Sequence, residues 1–492
     1  MIDRISRRLF LGGLGSLLIP AAALADAPVN SLRPQLRGTE LSGIERFIQS
    51  AGLRGEVAFA VADVQTGDHL ETFGATEGLP PASVAKALTA LYALDVLGPE
   101  HRFETTIMAD GPVENGILQG DLILVGGGDP LLDTDALATM AGNLREAGIT
   151  EVRGAFKVYD GALPYVNSID PQQPDHVGYS PSISGISLNF NRVHFEWKRG
   201  AEGYDVSMDA RSASYKPAVD MASMRVEARK VPIYTYESSA RVDRWTVAKA
   251  ALGKGGARWL PVRKPALYAG DVFRTLARVN GIVLGRVQVT AEPPEGTVLV
   301  THQSDPLKSI LKGMLKYSTN LTAEMVGMAA TRARGIEPQS LVDSAAEMNL
   351  WAAETYGADR IRMVDHSGLG DASRMAPADL VKALVQAQKA GTLRPLLKPF
   401  ALTDSKGRPI KGHPIKVDAK TGTLNFVSGL GGFVTTAGGA ELAFAIFTAD
   451  VAHRATISRA NRERPEGARS WNSRSRRLQR SLIERWGSLF GS

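Results

Sequence analysis

The sequence contains no cysteine among its 492 residues. This absence excludes a thiol nucleophile, a cysteine-ligated metal centre and any disulfide bond. The eight histidines form neither an H-E-x-x-H nor an H-x-x-x-H pattern, and no phosphate-binding G-x-x-x-x-G-K-[ST] loop occurs. We therefore expect no metal and no cofactor, which leaves chemistry carried by side chains alone.

Long apolar runs are also missing, since no stretch reaches the length of about 18 residues that a membrane-spanning helix needs. At the N-terminus, the pair Arg7-Arg8 precedes an apolar, glycine-rich stretch that ends at the small-residue site Ala23-Leu24-Ala25. This order is typical of a signal peptide, here residues 1–25, and the arginine pair favours the twin-arginine route over a Sec signal. We expect export to the periplasm.

Positive charge is concentrated near the C-terminus. Residues 454–485 hold ten arginines and three glutamates, a net charge of +7, whereas the whole chain has a formal charge of +6. Aromatic residues are not interleaved with these arginines, which argues against nucleic-acid recognition. The segment fits a peripheral contact with an anionic membrane and fits a solvated helix face equally well.

The pattern of apolar residues changes twice along the chain. Residues 55–63 read as a strand, and leucines at helical spacing follow Ser83. Between residues 100 and 299, short β-rich runs are separated by Pro, Gly, Ser and Asn, with one helix near residues 271–278. Helical patterns then return, followed by two strands and a closing helix. The predicted helices cover residues 319–333, 340–355, 377–390 and 474–489, and the predicted strands residues 425–434 and 440–448.

These changes predict an α/β (α+β) catalytic domain with helices on both faces of a sheet, interrupted by a large β-rich insertion. The domain would be discontinuous, because its two parts flank the insertion. We assign residues 26–99 and 300–492 to it, residues 100–165 and 262–299 to a first insertion subdomain, and residues 166–261 to a second.

The run Ser83-Val84-Ala85-Lys86 is an S-x-x-K motif at the start of a predicted helix. A serine hydroxyl needs a base to become a nucleophile, and a lysine three residues later shares its helical face. Lysine acts as a base when burial or a second cation lowers its pKa. A second match, Ser309 with Lys312, lies inside a helical run that begins earlier, so we favour Ser83 and Lys86.

Two further motifs follow in the order that this chemistry needs. Ser318-Thr319-Asn320 is an S-x-N motif at a break between helices, where Ser318 would carry a proton to the leaving group and Asn320 would hold Lys86 or a substrate amide. Lys420-Thr421-Gly422 is the single K-[ST]-G motif and precedes a predicted strand. Lys420 and Thr421 would bind a substrate carboxylate, and Gly422 allows close approach of a peptide. The amides of Ser83 and Thr423 would form an oxyanion hole.

With these motifs the chain resembles the D-alanyl-D-alanine carboxypeptidase/endopeptidases of the class C low-molecular-mass penicillin-binding proteins (DacB-like, peptidase family S13). The likeness runs from about residue 40 to residue 450. Four more segments carry it, similar to the family's G-D-L-x-L-x-G-x-G-D-P, S-L-N-x-N, Y-S-x-N-x-x-A-E and D-G-S-G-L: residues 120–130, 187–191, 317–324 and 365–369.

The resemblance implies a serine D,D-peptidase that forms an acyl-enzyme on Ser83. Its expected partners are peptidoglycan stem peptides, with D-Ala-D-Ala termini and D-Ala-diaminopimelate cross-links as the bonds cleaved and β-lactams as covalent inhibitors. In the family an acidic residue of the insertion reaches the diaminopimelate, and Asp160 stands where we expect it. Asn425, just after the K-T-G motif, is also expected to contact substrate, although a longer polar side chain is common at its position in the family and this departure bears on substrate preference.

The chain departs from the family pattern after Leu369. Gly370-Asp371 stand where Ser-Arg is common, so an arginine contact to the peptide would be missing or taken over by Arg374. Two alternatives remain open. A β-lactamase-like hydrolase or esterase would use the same residues but would need its own deacylating base, and no E-x-x-L-N motif supplies one. A non-catalytic wall-binding protein would keep the fold without the chemistry.

Overall fold

The computed structural model describes residues 43–404 and 406–491, so the predicted signal peptide lies outside the described residues. The described residues from Ile48 onward belong to one compact unit. In the described part of the chain, no helix combines the length and apolar character needed to cross a membrane.

The helices of the described residues have these bounds: α1 Gly43–Ser50, α2 Ala85–Leu97, α3 Thr134–Glu146, α4 Pro265–Val279, α5 Leu307–Tyr317, α6 Asn320–Ala333, α7 Leu341–Tyr356, α8 Pro377–Lys389, α9 Val451–Ala455 and α10 Ala468–Leu489. The strands are β1 Glu56–Asp63, β2 His69–Phe73, β3 Glu104–Asp110, β4 Val113–Glu114, β5 Ile117–Leu118, β6 Asp121–Gly126, β7 Glu151–Val152, β8 Phe156–Tyr159, β9 Arg192–Arg199, β10 Tyr204–Asp209, β11 Ala222–Glu227, β12 Tyr234–Ser238, β13 Asp243–Ala248, β14 Gly255–Pro261, β15 Val287–Thr290, β16 Thr297–Gln303, β17 Lys398–Pro399, β18 Lys416–Leu424, β19 Val427–Thr435 and β20 Glu441–Ala449.

The main sheet is assembled from both sides of the insertion. Its strand order is β17-β18-β19-β20-β1-β2, and all neighbours are antiparallel. Strand β1 lies between β2 and β20, with Phe59 opposite Ile446. Because β1 and β2 precede the insertion and β17–β20 follow it, the predicted discontinuous domain is confirmed.

Both faces of the main sheet are covered by helices, as a run of buried residues on β19 and β20 requires. On one face, Phe447 and alternate alanines of β20 join the core that includes α8. On the other face, Trp486 of α10 packs against Phe59 and Phe444, with ring centroids 5.7 and 5.8 Å apart. These aromatic contacts anchor the C-terminal helix to the centre of the sheet.

Helix α2 is buried from Ala85 to Ala93, because alanine and leucine cover all its sides. It packs against α5, α6 and α7. Because this part of the helix has no solvent-facing side, it has little freedom to shift, and the residues at its N-terminus are held rigidly.

The insertion consists of several small sheets, as its β-rich pattern predicts. The largest has five strands in the order β15-β8-β6-β3-β16, and two three-stranded sheets contain β9–β14. Helix α3 was not predicted from the sequence, although its buried Leu137, Met140 and Leu144 follow a helical period. The run Gly-Gly-Gly-Asp-Pro at residues 126–130 indicates a turn, so Asp133 three residues later was not recognised as the N-cap of a helix. The predicted subdomain boundaries stay a prediction.

Some arginines of the basic C-terminal segment form ion pairs within the protein. Arg485 of α10 binds Glu71 of β2 at 2.8 Å, and Arg459 binds Asp175 of the insertion at 2.6 Å. Arginines 469, 476 and 477 of α10 are exposed. The peripheral membrane contact stays a prediction, and these three side chains are the ones it would use.

Candidate active site

Ser83 lies in a 3₁₀ turn, Ala82–Val84, that leads directly into α2. The turn is strained, because Ala82 is buried with a φ of +47°, in the left-handed region. Two glycines hold it from either side. A Cβ atom on Gly422 would lie 2.9 Å from the Ser83 nitrogen, and one on Gly368 would lie 1.9 Å from the Ala82 oxygen. Any larger residue at either position would push the nucleophile out of place.

Lys86 is fully buried and has three hydrogen-bond acceptors for its ammonium group. Nζ donates to Ser83 Oγ at 2.9 Å, to Asn320 Oδ1 at 2.8 Å and to the Ser367 carbonyl at 2.8 Å. The one-turn spacing of the S-x-x-K motif therefore places the amine against the hydroxyl, as predicted. An amine at this distance can take the serine proton directly.

Burial lowers the pKa of Lys86 to about 8, and the nearby carboxyl groups of Glu324 and Asp365 oppose this change. Burial likewise lowers the pKa of Lys420 well below its ordinary value, with the charge of Lys86 adding to the effect. The neutral amine is thus accessible at Lys86 near neutral pH, which a general base requires.

Ser318 and Lys420 form a second hydrogen-bonded pair. Ser318 ends α5 in the left-handed conformation, with a φ of +61°, at the predicted break before α6. Lys420 Nζ donates to Ser318 Oγ at 3.0 Å and to the Thr421 carbonyl at 2.6 Å. Lys420 was predicted to precede a strand, but it lies inside β18.

One edge of β18 is open beyond residue 419. In the part of the chain that the structure describes, β17 pairs with Asp418 and Ala419 alone, whereas β19 pairs along the whole of β18. An unpaired strand edge offers N–H and C=O groups to an extended peptide. Thr421, Gly422 and Thr423 occupy this edge next to Ser83. Their roles in substrate binding and in the oxyanion hole stay predictions.

The cleft in front of Ser83 has a volume of about 320 Å³. Ser318, Asn320, Thr423 and Asn425 line it with Ser83, whereas Lys86 and Lys420 lie behind the wall. Side chains that the sequence analysis did not predict complete the lining: Gln173, Tyr179, Arg454, Arg462, Glu463 and Asn472. Within the described ranges, no group of three or more His, Asp or Glu side chains could hold a metal ion.

Asp160 is not brought together with the other predicted residues. It lines a separate cavity of the insertion, with Tyr165, Tyr236 and Lys264. Burial raises the pKa of its carboxyl. The structure thus gives no contact between Asp160 and the cleft of Ser83, and its role toward substrate stays a prediction without geometric support.

The cationic side chains in the cleft are Arg454 and Arg462 rather than the predicted Arg374. Arg374 Nη1 donates to the carbonyls of Asp371 and Ser373 at 2.7 and 2.9 Å, so it is used within its own turn. Arg454 donates to Asp371 through Nε at 3.0 Å, and Arg462 through Nη1 at 2.5 Å. Asp371, the residue that departs from the family pattern, therefore fixes two arginines from a distant part of the chain.

The segment that carries Arg462, residues 456–467, belongs to the catalytic domain and forms hydrogen bonds with the insertion. Glu463 accepts hydrogen bonds from His176 Nε2 at 2.8 Å and from Arg258 at 2.9 Å. The bond to His176 is the main reason why the pKa of Glu463 falls to about 2, with Arg258 adding to it. Asn425 Nδ2 donates to the Arg462 carbonyl, which fixes the same segment from the catalytic side.

A serine, a buried lysine and an open strand edge on an antiparallel sheet define the penicillin-recognising class of serine acyl-transferases. The sequence model of the D-Ala-D-Ala carboxypeptidase 3 (S13) family matches residues 42–465, and the chain belongs to this family. The chain is therefore an enzyme of the serine peptidase type, as predicted.

Individual relatives agree with this assignment. The D-alanyl-D-alanine carboxypeptidase of Actinomadura sp. (strain R39) is 29% identical over 473 residues, which cover 87% of this chain and 84% of that protein. DacB of Haemophilus influenzae is 23% identical over 414 residues, or 80% and 85% of the two chains. The crystal structure of penicillin binding protein 4 (dacB) from H. influenzae matches with a TM-score of 0.74 at 20% identity, covering 90% of this chain and 100% of that one. The predicted fold class is thereby confirmed.

Proposed function

We propose that this enzyme is a periplasmic serine D,D-peptidase that hydrolyses D-Ala-D-Ala termini and D-Ala-diaminopimelate cross-links of peptidoglycan. The observation that carries the proposal is the 2.9 Å hydrogen bond between Lys86 Nζ and Ser83 Oγ at a site where Lys86 is fully buried. The names of the relatives from Actinomadura and H. influenzae support the carboxypeptidase activity. The N-terminal sequence supports export.

The reaction would pass through an acyl-enzyme. Ser83 Oγ attacks the carbonyl carbon of the scissile D-alanyl bond while its proton moves to Lys86 Nζ, and the amides of Ser83 and Thr423 receive the developing oxyanion. Ser318, bound to Lys420, passes a proton to the amine as the C–N bond breaks and is reprotonated by the proton that Lys86 took from Ser83, so that both residues return to their starting state. Water then attacks the ester, releases the acid and returns the hydrogen to Ser83. A β-lactam opened by Ser83 would remain attached as an ester and block this last step.

The proposed activity is tested with purified enzyme and cross-linked muropeptides, followed by mass spectrometry. We expect release of free D-alanine from pentapeptide ends and conversion of cross-linked dimers to monomers. Rapid turnover of a chromogenic cephalosporin without muropeptide cleavage would favour the β-lactamase-like alternative. Muropeptide binding without cleavage or penicillin attachment would favour a wall-binding protein.

Arg454 and Arg462 of the cleft indicate which peptides the enzyme would prefer. Lys420 and Thr421 would bind the carboxylate of the leaving group. The acyl side of the peptide would then follow β18 toward Asn425, which is roughly 16 Å from Lys420 at the spacing of residues in a strand. Arg454 and Arg462 lie at that end of the cleft and share one carboxylate, Asp371, and Glu463 beside them is paired with Arg258, so one positive charge is left for the peptide. A carboxylate on the side chain of the residue before the D-alanine would complete the pairing.

We therefore expect Arg462→Ala to raise KM about tenfold for a stem peptide that carries this side-chain carboxylate, with little change in kcat. A peptide amidated at the same position should show no such increase. Arg464→Ala is the matched control, because Arg464 is exposed and two residues away. Equal losses for the acidic and the amidated peptide would show that Arg462 serves the fold of the segment and not recognition.

A further inference from the structure

The carboxyl group of Glu324 is fully buried behind the lysine of the active site. Its two oxygens accept the backbone N–H groups of His366 and Ser367 at 2.8 and 2.9 Å. The carbonyl of Ser367 is in turn an acceptor for Lys86 Nζ. Glu324 thus reaches the general base through a single residue of the loop between α7 and α8, without lining the cleft itself.

Helix α6 makes this arrangement possible. Asn320 begins the helix and accepts a hydrogen bond from Lys86, and Glu324 lies one turn later on the same face. One helix therefore supplies both a direct partner of Lys86 and the carboxyl that orients a second partner, the Ser367 carbonyl. The spacing Asn320-x-x-x-Glu324 was visible in the sequence, but a buried charge behind the active site was not.

The charges around Glu324 come from three elements. Lys86 faces it from α2 and Asp365 from the loop that carries Ser367, and their charges lower and raise its pKa respectively. Burial is the largest influence on the carboxyl of Glu324 and raises its pKa, whereas the N–H groups of Ser367 and His366 and the charge of Lys86 oppose that rise and favour the ionised form. Lys86 in turn lowers the pKa of Lys420, on β18. His366 is neutral, since burial lowers its pKa to about 3.

We propose that Glu324 is a positioning residue for the catalytic base: it fixes the Ser367 carbonyl against Lys86, and its negative charge keeps the lysine basic enough to take the Ser83 proton. The two accepted N–H groups favour the ionised carboxylate, because a protonated carboxyl accepts less well at one oxygen. A buried amine without a nearby negative charge would lose its proton too readily and become a weak base.

The inference rests on the proposed function, because it assumes that Ser83 is acylated. It is tested by the pH dependence of acylation by a fluorescent penicillin. Acylation needs neutral Lys86, so its rate falls on the acidic side of the Lys86 pKa. Glu324→Gln removes the negative charge while it keeps the side-chain length. We expect the acidic limb of the profile to move to lower pH by about one unit, and the plateau rate to fall at least tenfold.

Two further variants separate charge from geometry. Glu324→Asp keeps the charge but shortens the side chain. It should therefore lower the plateau rate of acylation, while the acidic limb of the pH profile stays closer to that of the wild type. Asp379→Asn is the control for loss of a buried carboxylate elsewhere: Asp379 is fully buried in α8 and accepts the Arg360 N–H at 2.7 Å. It should lower stability without moving the limb.

The outcomes are distinguishable. If the wild type is not acylated at all, the proposed function fails. If the wild type is acylated and Glu324→Gln keeps the same acidic limb, the positioning role through charge is wrong. A folded Glu324→Gln variant, judged by its thermal unfolding, with both a lower plateau and a shifted limb supports the proposal. If Glu324→Gln does not fold, Glu324→Asp becomes the deciding variant. An unchanged plateau rate of acylation in Glu324→Asp would then overturn the proposal.

Discussion

Ser83→Ala should abolish the covalent penicillin adduct and lower D-alanine release by about 10⁴-fold or more, because Ser83 supplies the oxygen of the proposed ester. The fold should survive. Ser83 is half-buried, and Lys86 keeps Asn320 and the Ser367 carbonyl as hydrogen-bond acceptors when the hydroxyl is removed. Intact-mass measurement after incubation with penicillin reads the adduct directly, and thermal unfolding checks the fold.

The second S-x-x-K match provides a control within the same chain. Ser309 and Lys312 lie on α5 with the same spacing, but both side chains are exposed to solvent. Ser309 therefore lacks the buried setting in which Lys86 contacts Ser83, and we expect it not to be activated. Ser309→Ala should therefore leave the adduct and the D-alanine release unchanged. An adduct that survives in Ser83→Ala and disappears in Ser309→Ala would refute the assignment of the nucleophile.

Gly327→Ala should destabilise the protein by about 3 kcal/mol, the upper range for overpacking. Gly327 lies in the middle of α6, and a Cβ atom there would be 2.2 Å from Cγ of the His366 ring. The ring cannot move aside, because Nε2 bonds Ser344 Oγ at 2.7 Å and the ring stacks on Tyr92 with centroids 6.4 Å apart. Chemical denaturation measures the free energy of unfolding.

Gly313→Ala is the matched control for this substitution. Gly313 also lies within a helix, α5, and a Cβ atom there would meet nothing within 4 Å. Because alanine is the better helix former, this variant should gain about 0.5–1 kcal/mol. In a His366→Ala background, Gly327→Ala should cost much less, since the ring that causes the clash is gone. An equal cost in both backgrounds would show that the clash is not the cause.

The local parts of the active site were predictable because each depends on spacing along a short segment. The turn before Ser83, the break at Ser318 and the helical phase that joins Ser83 to Lys86 all follow from neighbouring residues. The discontinuous domain was predictable for a related reason, since the change from helical to β-rich patterns is a property of long windows. The structure agrees at each of these points.

The parts that depend on distant segments could not be predicted in the same way. Arg454 and Arg462 enter the cleft because Asp371 binds them from about 80–90 positions earlier in the chain. Glu324 acts through the Ser367 carbonyl across more than 40 residues. The space for His366 depends on the absence of a side chain at Gly327. Each contact is set by tertiary packing, which a local pattern does not record.

The position of β1 has a consequence for the order of events during biosynthesis. Strand β1 is complete at Asp63, but its inner neighbour β20 ends at Ala449, after the entire insertion. At about 5–20 residues per second, the ribosome needs roughly 20–80 s to make the intervening chain. Throughout that time the hairpin of β1 and β2 has one unpaired, apolar edge, so the nascent enzyme depends on protection from aggregation until its last strands emerge. A message truncated anywhere before the codon for residue 441 would yield no nucleophile site, although it encodes Ser83 and Lys86.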